Sequence, residues 1–224
     1  MPPQSGASFQ AVMDQASRGK PRVSPRRANP ELTERRREVL VKAGYAEILE
    51  KGLPGLTIEG VVERARSSKG GALYYFPKKD DLVQAVLEWL LAELDRTLGD
   101  IAGSGAPPGD LLRSEIEVLF HSAEINRKLY RVLFDYVALA SRAERYRRSI
   151  SRFLEACRRR DAAIIEKGTR AGEFRTVDPE AAASTLRALV DGYCLQWLMG
   201  PEDVPLEVYR DRCQGAVGRL LRRP

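Results

Sequence analysis

Histidine is nearly absent: the 224 residues contain one, His121. Cysteine is scarce as well, with Cys157, Cys194 and Cys213 far apart and odd in number. This excludes a disulfide framework and any zinc spacing, and the thiols read as plain side chains in a reducing cytosol. A single histidine forms no dyad with scattered cysteines, and no Gly-x-x-x-x-Gly-Lys run occurs. Carboxylates such as Asp135 and Glu166 fall on amphipathic helices, where solvated faces are the default. The expectation is therefore no enzyme, no metal and no cofactor. No run of about 18 apolar residues exists, which excludes a membrane span. Residues 1–30 contain no apolar run, so no signal peptide is expected. Strand-type alternation is nowhere sustained.

What is present is apolar helical periodicity and an uneven spread of cations. Hydrophobic residues make up 43% and charged residues 30%, with a formal charge of +6. Residues 1–30 hold five basic groups and one acid, residues 31–82 ten basic and nine acidic, so the cationic excess lies toward the N-terminus. That placement suits a polyanionic partner.

The periodicity predicts an all-α chain of about nine helices, a three-helix head followed by a larger body. Residues 1–29, rich in Pro, Gly, Ser, Gln and Arg, read as a disordered basic tail. The tail is either a plain solvated segment or an arm that reaches a minor groove. Residues 30–78 form the head and 79–224 the body. A first helix spans about Leu32 to Glu50, with Leu40, Ala43, Gly44 and Ile48 on its buried face. Gly52, Pro54 and Gly55 break it. Thr57 caps a second helix, with Ile58, Val61 and Val62 inward, and either Ser67 or Ser68 caps a third that Pro77 stops. A fourth helix follows through Leu82, Val86, Leu90 and Leu94. Gly99–Gly109 reads as a loop, and helical segments follow at about 110–122, 126–141, 143–171, 178–199 and 203–221.

The chemistry concentrates in Thr57–Lys79, TIEGVVERARSSKGGALYYFPKK. From Arg64 to Lys79 there are five basic residues and no acidic one. Ser68, Lys69, Gly70 and Gly71 open the third helix. Two adjacent glycines each cost about 1 kcal/mol of helix propensity, a poor choice unless the backbone must approach another surface. Free N–H groups there suit phosphate, and Lys69 suits phosphate or a guanine edge. Of Tyr74 and Tyr75, one can fill the core while the other offers its hydroxyl to phosphate. Lys79 suits a phosphate clamp, and Arg66 adds a cation. Gly44 and Gly60, inside helices, are expected to weaken the head.

The run SSKGGALYYFPKKDDL, residues 67–82, together with residues 40–65 upstream, resembles the tetracycline-repressor (TetR) family of bacterial regulators. GEFRTVDPEAAA (172–183) resembles the turn before that family's last two helices. The resemblance implies DNA contacts at Thr57, Ser68, Lys69, Gly70, Gly71, Tyr75 and Lys79. Leu73 stands where many members carry a phosphate-binding tyrosine, a contact that falls to Tyr74 here. Arg66 stands where the turn usually has glycine. The resemblance further implies a bacterial, cytoplasmic, nucleoid-associated repressor that binds double-stranded DNA at a palindromic operator. It implies a homodimer through the last two helices, with Leu186, Leu189, Val190, Tyr193, Trp197, Val208, Val217 and Leu220 suited to that interface. It also implies a small apolar or amphipathic effector, for which Trp89, Phe120, His121, Tyr130, Phe134, Tyr136, Phe153, Tyr193 and Trp197 are candidate lining residues. The alternative is an activator or architectural protein with the same head and no effector. The arginine-rich stretch Arg142–Arg160 reads as a mostly solvated basic helix.

Overall fold

The computed structural model describes residues 30–201 and 203–222. The sequence expectation for the 1–29 tail lies outside them. Among the described residues there are nine helices and no strand. The head is α1 (Pro30–Gly55), α2 (Ile58–Arg64) and α3 (Lys69–Tyr75). The body is α4 (Lys79–Ala102), α5 (Pro108–Leu119), α6 (Ala123–Ala140), α7 (Glu144–Arg170), α8 (Pro179–Met199) and α9 (Leu206–Leu221).

In the head, Leu40, Ala43 and Ile48 face the core as their spacing predicts, and Val61 of α2 joins them. Gly52 takes φ 74° and interrupts α1 before its last turn. The amide of Leu53 that follows donates to Asp135 Oδ2 at 3.4 Å, so this carboxylate of α6 holds the break rather than lying on a solvated face. Gly44 and Gly60 are not weak points. A Cβ on Gly44 would lie 3.0 Å from Val86 Cγ2, and one on Gly60 would lie 2.0 Å from Glu47 Oε1. Each glycine is where one helix meets another at close range, α1 on α4 and α2 on α1. Glu47, 1% exposed, sits in that second contact. Burial pushes its carboxyl up, but Lys51 at 2.6 Å and Arg64 at 3.2 Å hold it below the usual carboxylate range.

Helix α4 carries the head into the body. Its stripe Leu82, Val86, Leu90, Leu94 is buried and continues through Leu98 and Ile101. Gly99–Ala102 is therefore helical, contrary to the expected Gly99–Gly109 loop, and the chain breaks at Gly103. Burying one more turn of apolar stripe outweighs the propensity cost of Gly99. Helix α7 is central, packing on α4, α5, α6 and α8, while α9 packs on α8 and α5.

The turn after α7 stitches the body together. Phe174 lies over Gly168, where a Cβ would meet its ring at 2.3 Å. Arg175 donates its backbone amide to the Leu221 carbonyl at 2.9 Å and its Nε to that of Leu220 at 2.8 Å, closing the end of α9. Asp178 caps α8, accepting from the amides of Glu180 and Ala181.

Three charged side chains meet inside the body. Arg187 of α8 donates to Glu115 Oε1 of α5 at 3.0 Å and approaches Asp161 Oδ2 of α7 at 2.8 Å, and all three are buried. The Arg187 Nε–H is not aimed at Asp161, whose two oxygens accept no hydrogen bond. Two carboxyls share one guanidinium. Burial first, and the Glu115 charge second, push the Asp161 carboxyl far up. Cys157, beside them, is pushed up to about 11 by burial, so it is an unreactive thiol.

Candidate nucleic-acid interface

The two short helices of the head are set by their caps. Thr57 Oγ1 accepts from the Gly60 amide at 3.0 Å and opens α2. Ser68 Oγ accepts from the Gly71 amide at 3.0 Å and opens α3, which decides between the two serines. Between the helices Arg66 is the one non-glycine residue at positive φ among those described, at 49°. This is the left-handed conformation in which a glycine carries no penalty and an L side chain costs about 1–2 kcal/mol. Its exposed side chain adds a cation beside α3.

Helix α3 is anchored by Ala72 and by Phe76 just beyond it, both buried, with the Arg37 guanidinium 5.4 Å over the Phe76 ring. A helical period then turns Gly70, Leu73 and Tyr74 outward. Tyr74 is 74% exposed and Leu73 39% exposed, while Tyr75 is half-buried with its ring edge-on to Tyr74 at 5.1 Å. So Tyr75 supports the core and Tyr74 is the free hydroxyl. A Cβ on Gly70 would meet nothing within 4 Å, so this glycine leaves the helix surface bare. Thr57, Arg66, Ser68, Lys69 and Lys79 are exposed and Gly71 is partly so. Lys69 is held by Glu59 of α2, Nζ to Oε1 at 2.7 Å.

The first turn of α4 is tied to the body. Asp81 Oδ2 accepts from the Lys78 amide at 3.1 Å. Arg145 Nη1 lies 2.9 Å from Asp80 Oδ2, and the Tyr146 hydroxyl donates to the same carboxylate. Tyr136 Oη donates to the Val83 carbonyl at 2.9 Å. This latch between Asp80 and α7 had no sequence signal: Arg145 read as one more solvated arginine. Arg160 likewise is largely covered and pairs with Asp95.

The aromatic effector candidates are divided between buried and half-buried positions. Phe120, Tyr130, Tyr136 and Trp197 are buried in helix packing, and Trp197 has Arg127 5.0 Å over its ring. His121, Phe134, Phe153 and Tyr193 are partly buried, and the Phe134 ring is tilted on that of Tyr130 at 6.3 Å. Trp89 lines a cavity of about 240 Å³ and stacks tilted on Tyr45 at 5.1 Å. Of the eight interface candidates, Leu186, Val190, Trp197 and Val217 are buried within the protomer, because α8 and α9 turn those faces to α7 and α5. Leu189, Tyr193, Val208 and Leu220 are partly exposed.

The comparisons with known proteins match this architecture in both halves. Residues 40–86 match the family model of tetR-family bacterial regulatory proteins. Residues 108–222 match that of the C-terminal region of BetI-type transcriptional repressors. The chain belongs to the TetR family. The HTH-type transcriptional regulator BetI of Burkholderia mallei is 30% identical over 195 residues, covering 85% of this chain and 95% of that protein. BetI of Stenotrophomonas maltophilia is 29% identical, covering 74% and 81%. A TetR transcription regulator from Haloarcula marismortui has the same fold with a TM-score of 0.76 at 24% identity, covering 84% of this chain and all of that one. A protein from Saccharomonospora viridis solved with choline has a TM-score of 0.77 at 18% identity. This TetR-family chain is a DNA-binding transcriptional regulator with a BetI-type repressor body, and none of its described helices is long and apolar enough to cross a membrane.

Proposed function

We infer that the protein is a homodimeric repressor whose paired α3 helices read a palindromic operator and let go when a small amphipathic molecule enters the body. The observation that carries this reading is the outer face of α3. Bare Gly70 and exposed Tyr74 lie between the cations Arg66, Lys69 and Lys79, a surface with no packing role in the protomer. In this division residues 30–78 bind DNA, residues 79–224 dimerise and take the effector, and 1–29 are an appended tail. Ser68, Lys69, Gly70 and Gly71 face base edges. Thr57, Arg66, Tyr74 and Lys79 hold phosphates, which set register and supply salt-dependent affinity, and Tyr75 backs Tyr74 from the core side.

Dimerisation uses the outer faces of α8 and α9. Met199 is 70% exposed and Leu195 43%, and Leu189, Tyr193 and Leu220 beside them are partly so. A four-helix interface across a two-fold axis covers them and spaces two heads for adjacent major grooves. The structurally similar regulator from Saccharomonospora viridis was solved in complex with choline. Choline is therefore the first effector to test.

Selection of binding sites from a random duplex library with the full chain, at stated salt, tests the reading. Recovery of a motif with two-fold symmetry, followed by its release on adding choline or a related ligand, supports it. Recovery of no motif, with binding abolished by modest salt, refutes sequence-specific repression.

A further inference from the structure

A cleft at the joint between head and body adjoins the cavity lined by Trp89, sharing Arg37, Ala85 and Glu88 with it. It is an open cleft of about 760 Å³, within the size range of small-molecule sites, walled by α1, the first half of α4 and the start of α7. Its wall is rich in arginine, and the charges there are unevenly matched. Arg145 is engaged by Asp80 and Asp81, and Arg147 by Glu144 at 2.9 Å. Glu155 is engaged by Arg159 at 2.8 Å, and Glu88 accepts the Gln84 amide at 2.8 Å. Two guanidinium groups remain under-used. Arg148 reaches only to 3.9 Å from Glu144, which already serves Arg147. Arg152, whose one described bond is to Ser149 Oγ at 3.4 Å, faces no carboxylate within ion-pair distance. Residues 145, 148 and 152 fall on one stripe of α7, so their forks converge on the cleft.

The floor is polar and fixed. Gln84 Nε2 donates to Ser149 Oγ at 2.9 Å and to Glu88, which settles the amide orientation and leaves Oε1 without either partner. That oxygen is buried and accepts nothing. A cleft with spare bidentate donors on one wall is complementary to a compact anion.

We propose that this cleft binds a small multivalent oxyanion, a polycarboxylate or a phosphate ester, held by Arg148 and Arg152. The cleft touches Arg37 of α1 and Asp81 of α4, so its occupant bridges head and body. An anion there also competes with Asp80 and Asp81 for Arg145, and by linkage it changes DNA affinity if the two head orientations hold it differently.

Titration calorimetry of the full chain at constant ionic strength tests this, with citrate as the carboxylate probe and glycerol 2-phosphate as the phosphate probe. Saturable binding of one of them to the wild type is expected, and the probe that binds identifies the anion class. The double variant Arg148→Ala/Arg152→Ala should bind that probe at least about ten-fold more weakly while keeping its helical circular dichroism and its melting temperature. The proposal is overturned if neither probe binds saturably, or if the double variant binds as the wild type does. It is overturned too if that variant loses duplex affinity in the absence of anion with a shallower salt dependence, since the arginines would then be DNA contacts.

Discussion

Lys69, the first residue of α3, is held to Glu59, in the first turn of α2, by an ion pair of 2.7 Å. The lysine best placed to meet DNA is thus occupied by an acid of the preceding helix while the protein is free. Its hydrogen bond also keeps the Glu59 carboxyl below the usual range. DNA must compete for the same ammonium, and Glu59 adds a negative charge near the phosphates. Glu59→Gln is therefore expected to tighten duplex binding about three-fold or more, with the larger gain on non-operator DNA. Fluorescence anisotropy on operator and scrambled duplexes reads this. Weaker binding of both duplexes would show instead that Glu59 positions Lys69.

Lys79 opens α4 and is exposed with no described ion pair. Lys79→Ala is expected to weaken all duplexes to a similar degree and to lower the slope of log K against log salt by about one. An unchanged slope removes Lys79 from the phosphate contacts.

Arg66 at φ 49° sets stability against binding. Glycine relieves about 1–2 kcal/mol of left-handed strain and returns part of it as unfolded-chain entropy. Arg66→Gly should therefore raise stability by about 0.5–1 kcal/mol in urea melts while lowering duplex affinity several-fold. A variant that is more stable and binds DNA equally well would make Arg66 a bystander.

The head was largely legible because its signals are local. Thr57 and Ser68 cap helices three residues ahead, Pro77 ends one, and Arg66 standing in a turn position announces positive φ. What lay beyond reach depends on contacts between distant segments. Gly44 and Gly60 look like helix defects until Val86 and Glu47 are placed against them. Glu115, Asp161 and Arg187 carry no shared motif, and neither do Asp80 and Arg145, because helix packing alone brings them together. Aromatic residues at helical spacing gave a list of ring positions, but burial in the core and lining of a cavity produce the same period.

Gly60 permits a direct test of close approach. Alanine is the better helix former by about 1 kcal/mol, so a purely local view predicts stabilisation. The added methyl would fall on Glu47 Oε1 and push a buried carboxylate off Lys51 and Arg64. Gly60→Ala is expected to destabilise the protein by about 1–2 kcal/mol, read as a lower urea midpoint. A raised midpoint would mean that Glu47 moves without loss.

The Glu115–Arg187–Asp161 cluster should leave a signature in the pH dependence of stability. In the unfolded chain Asp161 titrates near pH 4. In the folded body burial and the facing Glu115 raise it well above that. A raised carboxyl means that the folded state keeps a proton the unfolded state has released. Its contribution to stability is therefore complete below about pH 4 and is lost as pH climbs toward the folded value. Asp161→Asn keeps the shape, removes the titration and leaves Arg187 to Glu115 alone. The wild type should lose stability relative to the variant between about pH 5 and about pH 8.5, when urea melts are compared at each pH. Parallel curves for the two proteins would mean that Asp161 is ionised and fully paired with Arg187 across the whole range.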